Sequence, residues 1–125
     1  MGGTYHDLKV WHGAMELTTK IYSITRKFPA EEMYGLSAQL RRAAVSVPSN
    51  IAECKGRSSD KELLQFLSHA RGSMYEVQTQ LEIAELLGFL TKTDYDEVRQ
   101  QTVAVGRMLN GMIAKFRETI QKPAA

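Results

Sequence analysis

Apolar residues recur along this chain at alternating spacings of four and three residues, in four separate stretches. Such spacing places one apolar stripe along one side of an α-helix, as in helices that pack into a bundle. The pattern predicts helices at about residues 7–28, 32–55, 59–88 and 94–121. Because the connections between them are short, consecutive helices should run antiparallel. The sequence therefore predicts an all-α fold, an antiparallel up-down-up-down four-helix bundle.

The stripe residues form the predicted core. They are Val10, Ala14, Leu17, Ile21, Ile24 and Phe28; Leu36, Leu40, Ala43, Val47, Ile51 and Cys54; Leu63, Leu67, Ala70, Met74, Val77, Leu81 and Ala84; and Val98, Thr102, Val105, Leu109, Met112 and Phe116. Trp11, Met15 and Tyr22 add a second, offset apolar stripe to the first predicted helix. Since a helix with two apolar faces packs against more than one neighbour, this stripe predicts self-association.

Local signals mark the ends of the predicted helices. Asp7 is a suitable N-cap for the first helix, and Ser59 and Glu62 have the spacing of a capping box before the third. Gly88 supplies a stop for the third helix. Pro48 lies inside the second helix, where it lacks a backbone donor and clashes with the preceding turn. We therefore expect a kink or a break at Pro48.

Length and composition limit the class of protein. The chain has 125 residues, 43% of them hydrophobic and 24% charged, which is typical of one soluble domain spanning residues 1–125. No apolar run approaches the roughly 20 residues that span a bilayer, and no secretion signal follows Met1. We expect a cytoplasmic protein with no membrane contact. The single Cys54 excludes an internal disulfide and should be buried and unreactive.

Residues with catalytic or metal-binding chemistry do not form a recognisable site. A di-iron site in a bundle needs Glu-x-x-His motifs, and none occurs. His6 and His12 are six residues apart, which places them on different faces of a helix. No glycine-rich phosphate loop is present. We expect no enzyme activity, no metal and no cofactor.

The second predicted helix carries the most polar face. Side chains within a narrow arc beside its apolar stripe are Arg42, Ser46, Ser49, Asn50, Glu53 and Arg57. Antiparallel pairing about the turn at residues 57–58 places Ser46 near His69 and Arg42 near Ser73. One interpretation is a structural polar seam between the second and third helices. Its predicted members are Arg42, Ser46, Asn50, Glu53, Ser73 and Glu76.

Arg42 is the critical residue of this seam. An arginine buried without a partner costs several kcal/mol, so Glu76 or Ser73 should satisfy it. Gly72, which precedes Ser73, should let the two helices approach closely. In this interpretation the polar face holds the fold together and has no ligand.

The second interpretation is nucleic-acid binding. Four cations should point further outward than Arg42, namely Arg41, Lys55, Arg57 and Lys61. These four and Arg42 are the candidates for phosphate contacts. The net charge is +2. Residues 1–57 contain eight Lys/Arg and five Asp/Glu, whereas residues 58–125 contain eight and nine. The positive excess lies in the half that carries this segment, although dedicated nucleic-acid modules are usually much more basic.

Several segments carry a resemblance to a known family. They are Asp7–Trp11, Phe28–Leu36, Gln39–Ala44, Ser49–Glu53 with Gly56 and Arg57, and Ala70–Glu76. Together they closely resemble the bacterial four-helix-bundle proteins related to those encoded in intervening sequences of 23S rRNA genes (S23-like proteins). The chain departs from the pattern at Cys54, where the family usually has Gly. A looser similarity connects it to the accessory proteins of diversity-generating retroelements.

The resemblance implies a homopentameric ring of four-helix bundles. It also implies two alternative functions, neither of them enzymatic. In the first, the ring associates with RNA or DNA through the basic residues named above. In the second, the ring is a scaffold or accessory subunit that binds a protein partner, with no direct role for nucleic acid.

Overall fold

The chain folds into a bundle of α-helices. The computed structural model describes Tyr5 and residues 8–121. The elements are α1 (Lys9–Thr25), a single 3-10 turn (Ala30–Glu32), α2 (Leu36–Cys54), α3 (Asp60–Leu86) and α4 (Lys92–Gln121). α1 and α3 each pack against both α2 and α4, so the four helices surround one core. The predicted four-helix bundle is confirmed; the predicted N-cap Asp7 and the residue His6 lie outside the described residues.

The core is built mainly from the predicted stripes, although Leu36 of α2 and Leu63 of α3 are half-buried at its edge and α4 buries a residue outside its stripe. All six stripe residues of α1 and its following link are buried, as are Leu67 to Ala84 of the α3 stripe. In α4 the buried residue after Leu109 is Ile113, while Met112 and Phe116 pack at the core edge. A straight helix has 3.6 residues per turn, so a strict heptad pattern drifts off the core-facing side over several turns. Met112 therefore packs at the edge of the core, and Ile113, which is not in the predicted stripe, takes the buried position.

The first helix is shorter than predicted, so Phe28 lies in the α1–α2 link. α1 ends at Thr25, and Pro29 disfavours helical backbone at the residue before it. Phe28 is nevertheless buried, and its ring centroid lies 5.6 Å from that of Phe89 in the α3–α4 link. This contact joins the two links, which therefore lie at the same end of the bundle.

α2 continues through Pro48 without a break. Pro48 has no N–H, so the carbonyl of Ala44, four residues earlier, loses its helical donor. The hydroxyl of Thr18 in α1 replaces that donor, with Oγ1 3.1 Å from the Ala44 oxygen and 2.8 Å from the Ala14 oxygen. The predicted break is absent because a neighbouring helix satisfies the freed carbonyl.

The ends of α3 are fixed by specific hydrogen bonds. At its start the backbone N–H of Glu62 donates to Ser59 Oγ over 3.2 Å, as predicted for the cap residue. At its end Gly88 has φ 76°, in the left-handed region that favours glycine. There the N–H of Phe89 donates to the Ala84 oxygen and the N–H of Gly88 to the Glu85 oxygen. This Schellman motif stops the helix and directs Phe89 into the core.

α3 and α4 are long enough to cross a bilayer, but no described helix is apolar enough to do so.

Candidate nucleic-acid interface

Arg41 packs against α1 and is half-buried. Its Nε donates to Thr25 Oγ1 over 2.8 Å, and its guanidinium carbon lies 4.8 Å from the centre of the Tyr22 ring. These contacts satisfy part of the guanidinium and cover one of its faces. The prediction that Arg41 points outward is wrong, because this side of α2 faces α1.

Arg42 is exposed, and the predicted pairing with Glu76 or Ser73 does not occur. It lines a cleft of about 310 Å³ between α2 and α3, together with Gln39, Ala43, Ser46, Ser73, Glu76 and Gln80. The Oε1 atom of Gln80 is buried and has no hydrogen-bond partner among the described residues. Arg42 therefore reaches solvent at the edge of a polar cleft. Because its charge is not buried, it does not need a partner.

A short polar seam does join α2 and α3. Ser46 Oγ and Ser73 Oγ lie 2.8 Å apart, and Asn50 Nδ2 donates to the Ser46 carbonyl oxygen over 2.8 Å and to Ser46 Oγ over 3.0 Å. The helix faces are those predicted, but Ser46 meets Ser73 one turn beyond His69. Side chains lean towards the N-terminus of their own helix, which in antiparallel helices offsets the contacting residues along the axis. No atom of α2 lies within 4 Å of where a Cβ of Gly72 would be, so Gly72 is not the predicted point of close approach.

Glu53 does not belong to this seam. It is exposed, and its Oε2 lies 3.2 Å from Nη2 of Arg57, one turn later in the chain. Arg57 Nε also donates to the Glu53 carbonyl oxygen over 3.1 Å, and its guanidinium carbon lies 5.0 Å from the centre of the Phe66 ring. Arg57 thus connects the end of α2 to α3, with two of its nitrogens, Nε and Nη2, directed at Glu53.

The remaining two predicted cations lie near the α2–α3 link. Lys55 is half-buried, whereas Lys61 is exposed in the first turn of α3. Neither forms an ion pair with a described residue. Of the five predicted cations, Arg42 and Lys61 are therefore the most available to a ligand.

A second concave surface, between α3 and α4, was missed from the sequence. It is a pocket of about 270 Å³ lined by Tyr75, Gln78, Thr79, Leu81, Glu82, Tyr95, Arg99, Thr102 and Val103. Burial raises the pKa of the Tyr95 hydroxyl above its ordinary value, and the nearby carboxylates of Glu85 and Glu82 raise it further. Tyr95 is therefore uncharged at physiological pH, and its side chain lines the pocket. Tyr75 and Arg99 lie off the core stripes, and no local motif marks either residue.

Acidic residues at the start of α4 hold the end of α1. Lys20 Nζ lies 2.8 Å from Glu97 Oε2, and Lys27 Nζ lies 3.0 Å from Asp94 Oδ2. The hydrogen bond from Lys27, together with the charges of Lys27 and Lys20, lowers the pKa of Asp94. The hydrogen bond to Glu97 is the main cause that raises the pKa of Lys20. Both lysines are already paired with carboxylates, which distinguishes them from Arg42 and Lys61.

The comparisons with known proteins identify the family. A family model described as "23S rRNA-intervening sequence protein" matches residues 6–111, most of the chain. The chain belongs to this family. No curated protein matches it.

A solved structure has the same fold as this member of the 23S rRNA-intervening sequence protein family. It is the crystal structure of a protein of unknown function from the S23 ribosomal protein family of Bacteroides thetaiotaomicron, with a TM-score of 0.75 and 20% identity. The alignment covers 83% of this chain and 97% of that chain. At this level of identity the similarity supports the bundle fold and says nothing about residue roles.

Cys54 is the one thiol of this family member, and it lies in the core. Burial raises the pKa of its thiol above the ordinary value. The protonated thiol is a poor nucleophile, so Cys54 packs as a small apolar side chain. Within residues 8–121 no three His, Cys, Asp or Glu side chains are grouped so as to hold a metal ion.

Proposed function

We propose that this protein is a non-enzymatic, self-assembling bundle that associates with RNA or DNA through phosphate contacts. The observation that carries the proposal is the position of Arg42 and Lys61, two exposed cations on α2 and α3 that form no ion pair with a described residue. Exposed guanidinium and ammonium groups bind phosphate oxygens without reading base sequence. We propose the cytoplasm as its location, where the free Cys54 remains reduced.

Two of the five predicted cations have a smaller part in this proposal. Arg41 is held by Thr25 and Tyr22, and Arg57 is held by Glu53 and Phe66. Assembly would compensate for the few free cations, because repetition of a modest basic patch increases avidity. The family description names a sequence that interrupts 23S rRNA, which is consistent with a nucleic-acid partner.

A protein-interaction scaffold is the second candidate function. It is favoured by exposed apolar side chains at the end of the bundle where the two links meet. Tyr34 is 92% exposed and Leu86 is 86% exposed, and Met33 and Leu87 are exposed beside them in sequence. Exposed apolar patches of this kind mark surfaces that bind other proteins or further copies of the same chain.

Binding of a fluorescently labelled 20-nucleotide RNA, and of DNA of the same sequence, tests the first proposal by fluorescence anisotropy. We expect affinity to fall steeply between about 50 and 200 mM salt, because phosphate contacts release counterions. The double variant Arg42→Ala/Lys61→Ala should bind more weakly and show a smaller salt dependence, by about two phosphate contacts.

The matched control is Lys20→Ala/Lys27→Ala, which removes the same charge from lysines already paired with Glu97 and Asp94. This control should bind nearly as well as the wild type. Absence of binding at 50 mM salt would contradict the nucleic-acid proposal. Capture of one defined protein that survives nuclease treatment, with no bound nucleic acid, would favour the scaffold.

A further inference from the structure

The pocket between α3 and α4 has the composition of a site for a single planar ring. Tyr75 is 55% exposed at the rim and Tyr95 is half-buried in the wall, so one aromatic side chain comes from each helix. Aromatic faces in a recessed site stack with unpaired nucleobases, whereas the bases of a duplex are already stacked on one another. A volume of about 270 Å³ accommodates one base and excludes a double helix.

Polar groups around the same pocket can contact the edges of a base. Gln78 offers an amide, and the carboxylate of Glu82 forms no ion pair with a described residue. The hydroxyl of Thr79 donates to the Tyr75 carbonyl oxygen over 2.9 Å, which leaves its oxygen available as an acceptor. Amide, carboxylate and hydroxyl groups are those that hydrogen-bond the edges of bases in single-stranded RNA.

Cations continue from this pocket along the outer face of α4. At about 100° per residue, Arg99, Arg107 and Arg117 fall within an arc of roughly 80°. Arg71 of α3 reaches the same face, with its Nη1 3.5 Å from Oδ1 of Asn110 in α4. None of these four arginines forms an ion pair with a described residue, and each can bind phosphate.

Arg42 lies at the same level of α3 as the pocket. It lines the α2–α3 cleft with Glu76 and Gln80, and the α3–α4 pocket begins with Tyr75 and Gln78. The free cation of α2 and the tyrosine pocket therefore flank one stretch of α3. A strand that crosses α3 here meets Arg42 on one side and Arg99 on the other.

From this arrangement we infer that the α3–α4 face binds single-stranded nucleic acid, with one base stacked in the pocket of Tyr75 and Tyr95 and the flanking phosphates on Arg99 and Arg42. The inference rests on the proposed nucleic-acid function and gives it a strand preference. It also extends the contact surface from Arg42 and Lys61 to the outer side of α3 and α4.

The test compares a labelled 12-nucleotide single-stranded RNA, single-stranded DNA of the same sequence and a blunt RNA duplex. Tyr75→Ala should weaken binding of either single strand about tenfold, because stacking on one aromatic side chain is lost. Tyr75→Phe keeps the ring and should bind like the wild type. Arg99→Gln should weaken binding and reduce the salt dependence by about one phosphate contact. The duplex should bind more weakly than the single strands and be insensitive to Tyr75→Ala.

Two controls remove the same groups elsewhere. Tyr34→Ala deletes an exposed tyrosine in the α1–α2 link, and Arg26→Gln deletes an exposed arginine beside α1. Both should keep the wild-type affinity per site for the 12-nucleotide strand, because neither residue lines the pocket. Since Tyr75 and Arg99 are exposed, their variants should keep the wild-type far-ultraviolet circular dichroism spectrum.

Two results would overturn the inference while leaving the proposed function intact. One is wild-type affinity of Tyr75→Ala for single strands, with binding lost in Arg42→Ala/Lys61→Ala. The other is equal affinity for duplex and single strand. Absence of binding to all three nucleic acids at 50 mM salt, or recovery of a protein partner alone, would instead remove the proposed function and the inference with it.

Discussion

At the scale of single residues, Thr18 and Pro48 form a pair that keeps α2 continuous. Thr18→Val should destabilise the protein by about 1–3 kcal/mol, because the buried Ala44 carbonyl would lose its donor. Urea unfolding followed by circular dichroism measures this. Thr19→Val is the matched control, since the Thr19 hydroxyl is exposed and donates to the Glu16 carbonyl oxygen of its own helix.

Adding Pro48→Ala to Thr18→Val provides a second check. An alanine N–H at position 48 can donate to the Ala44 carbonyl, so the cost of Thr18→Val should shrink in this background. Equal costs of Thr18→Val in the two backgrounds would mean that the Thr18 hydroxyl does not replace the missing proline donor.

The neighbours Arg41 and Arg42 show what the sequence could not decide at this scale. The apolar stripe of α2 places both residues off the core-facing side, about 100° apart around the helix. It does not say which side faces α1 and which faces α3, because that depends on the direction in which successive helices turn around the core. The contacts of Arg41 with Tyr22 and Thr25 required the assembled bundle.

At the scale of elements, ion pairs between α1 and α4 should give stability a defined pH window. The folded-state pKa of Asp94 is lowered, so its contribution is present above the ordinary carboxyl value near pH 4 and is lost as pH falls through the folded value. The pKa of Lys20 is raised, so its contribution is present below its ordinary value and is lost as pH rises through the folded value.

Asp94→Asn tests the acid side of this window. Exposed ion pairs contribute only about 0.2–1 kcal/mol, so the loss at pH 7 should be small. The loss should shrink as pH falls below the ordinary carboxyl value near 4, because the wild-type carboxylate takes up its proton as pH passes through the lowered folded-state pKa. Urea unfolding over a series of pH values from 7 downwards measures it, with Asp96→Asn as the control because Asp96 is exposed and unpaired among the described residues. A difference that does not shrink as the pH is lowered would exclude the ion pairs as its cause.

The spacing of apolar residues predicts most of the helical architecture. It does not predict where the helices end, or which residues of neighbouring helices lie at the same height along the bundle. Phe28 has the spacing of the α1 stripe but lies in the link after α1. Its side chain is buried there, so the apolar spacing continues beyond the end of the helix. Ser46 and Ser73 share the predicted faces, yet the axial offset between α2 and α3 moved their contact by one turn. The pocket of Tyr75 and Tyr95 joins residues of two helices, so no single-helix pattern marks it.

At the scale of the whole molecule, the exposed apolar end of the bundle predicts assembly. Tyr34 lies in the α1–α2 link and Leu86 at the end of α3, and the contact of Phe28 with Phe89 holds these links together. One chain has a mass of 14.1 kDa, so the homopentamer expected from the family resemblance would have a mass of about 70 kDa. Size-exclusion chromatography with light scattering measures this mass.

The variant Tyr34→Ser/Leu86→Ser should shift the mass towards 14.1 kDa, because it removes the most exposed apolar surface at this end. Val45→Ser is the control, since Val45 is an exposed apolar residue in the middle of α2. A wild-type protein that stays at 14.1 kDa at high concentration would contradict assembly. A double variant with the wild-type mass would instead place the contact elsewhere, with the second apolar stripe of Trp11, Met15 and Tyr22 as the next surface to vary. In either case neither Tyr34 nor Leu86 lines the pocket of Tyr75 and Tyr95, so the double variant should keep its affinity per site for single strands.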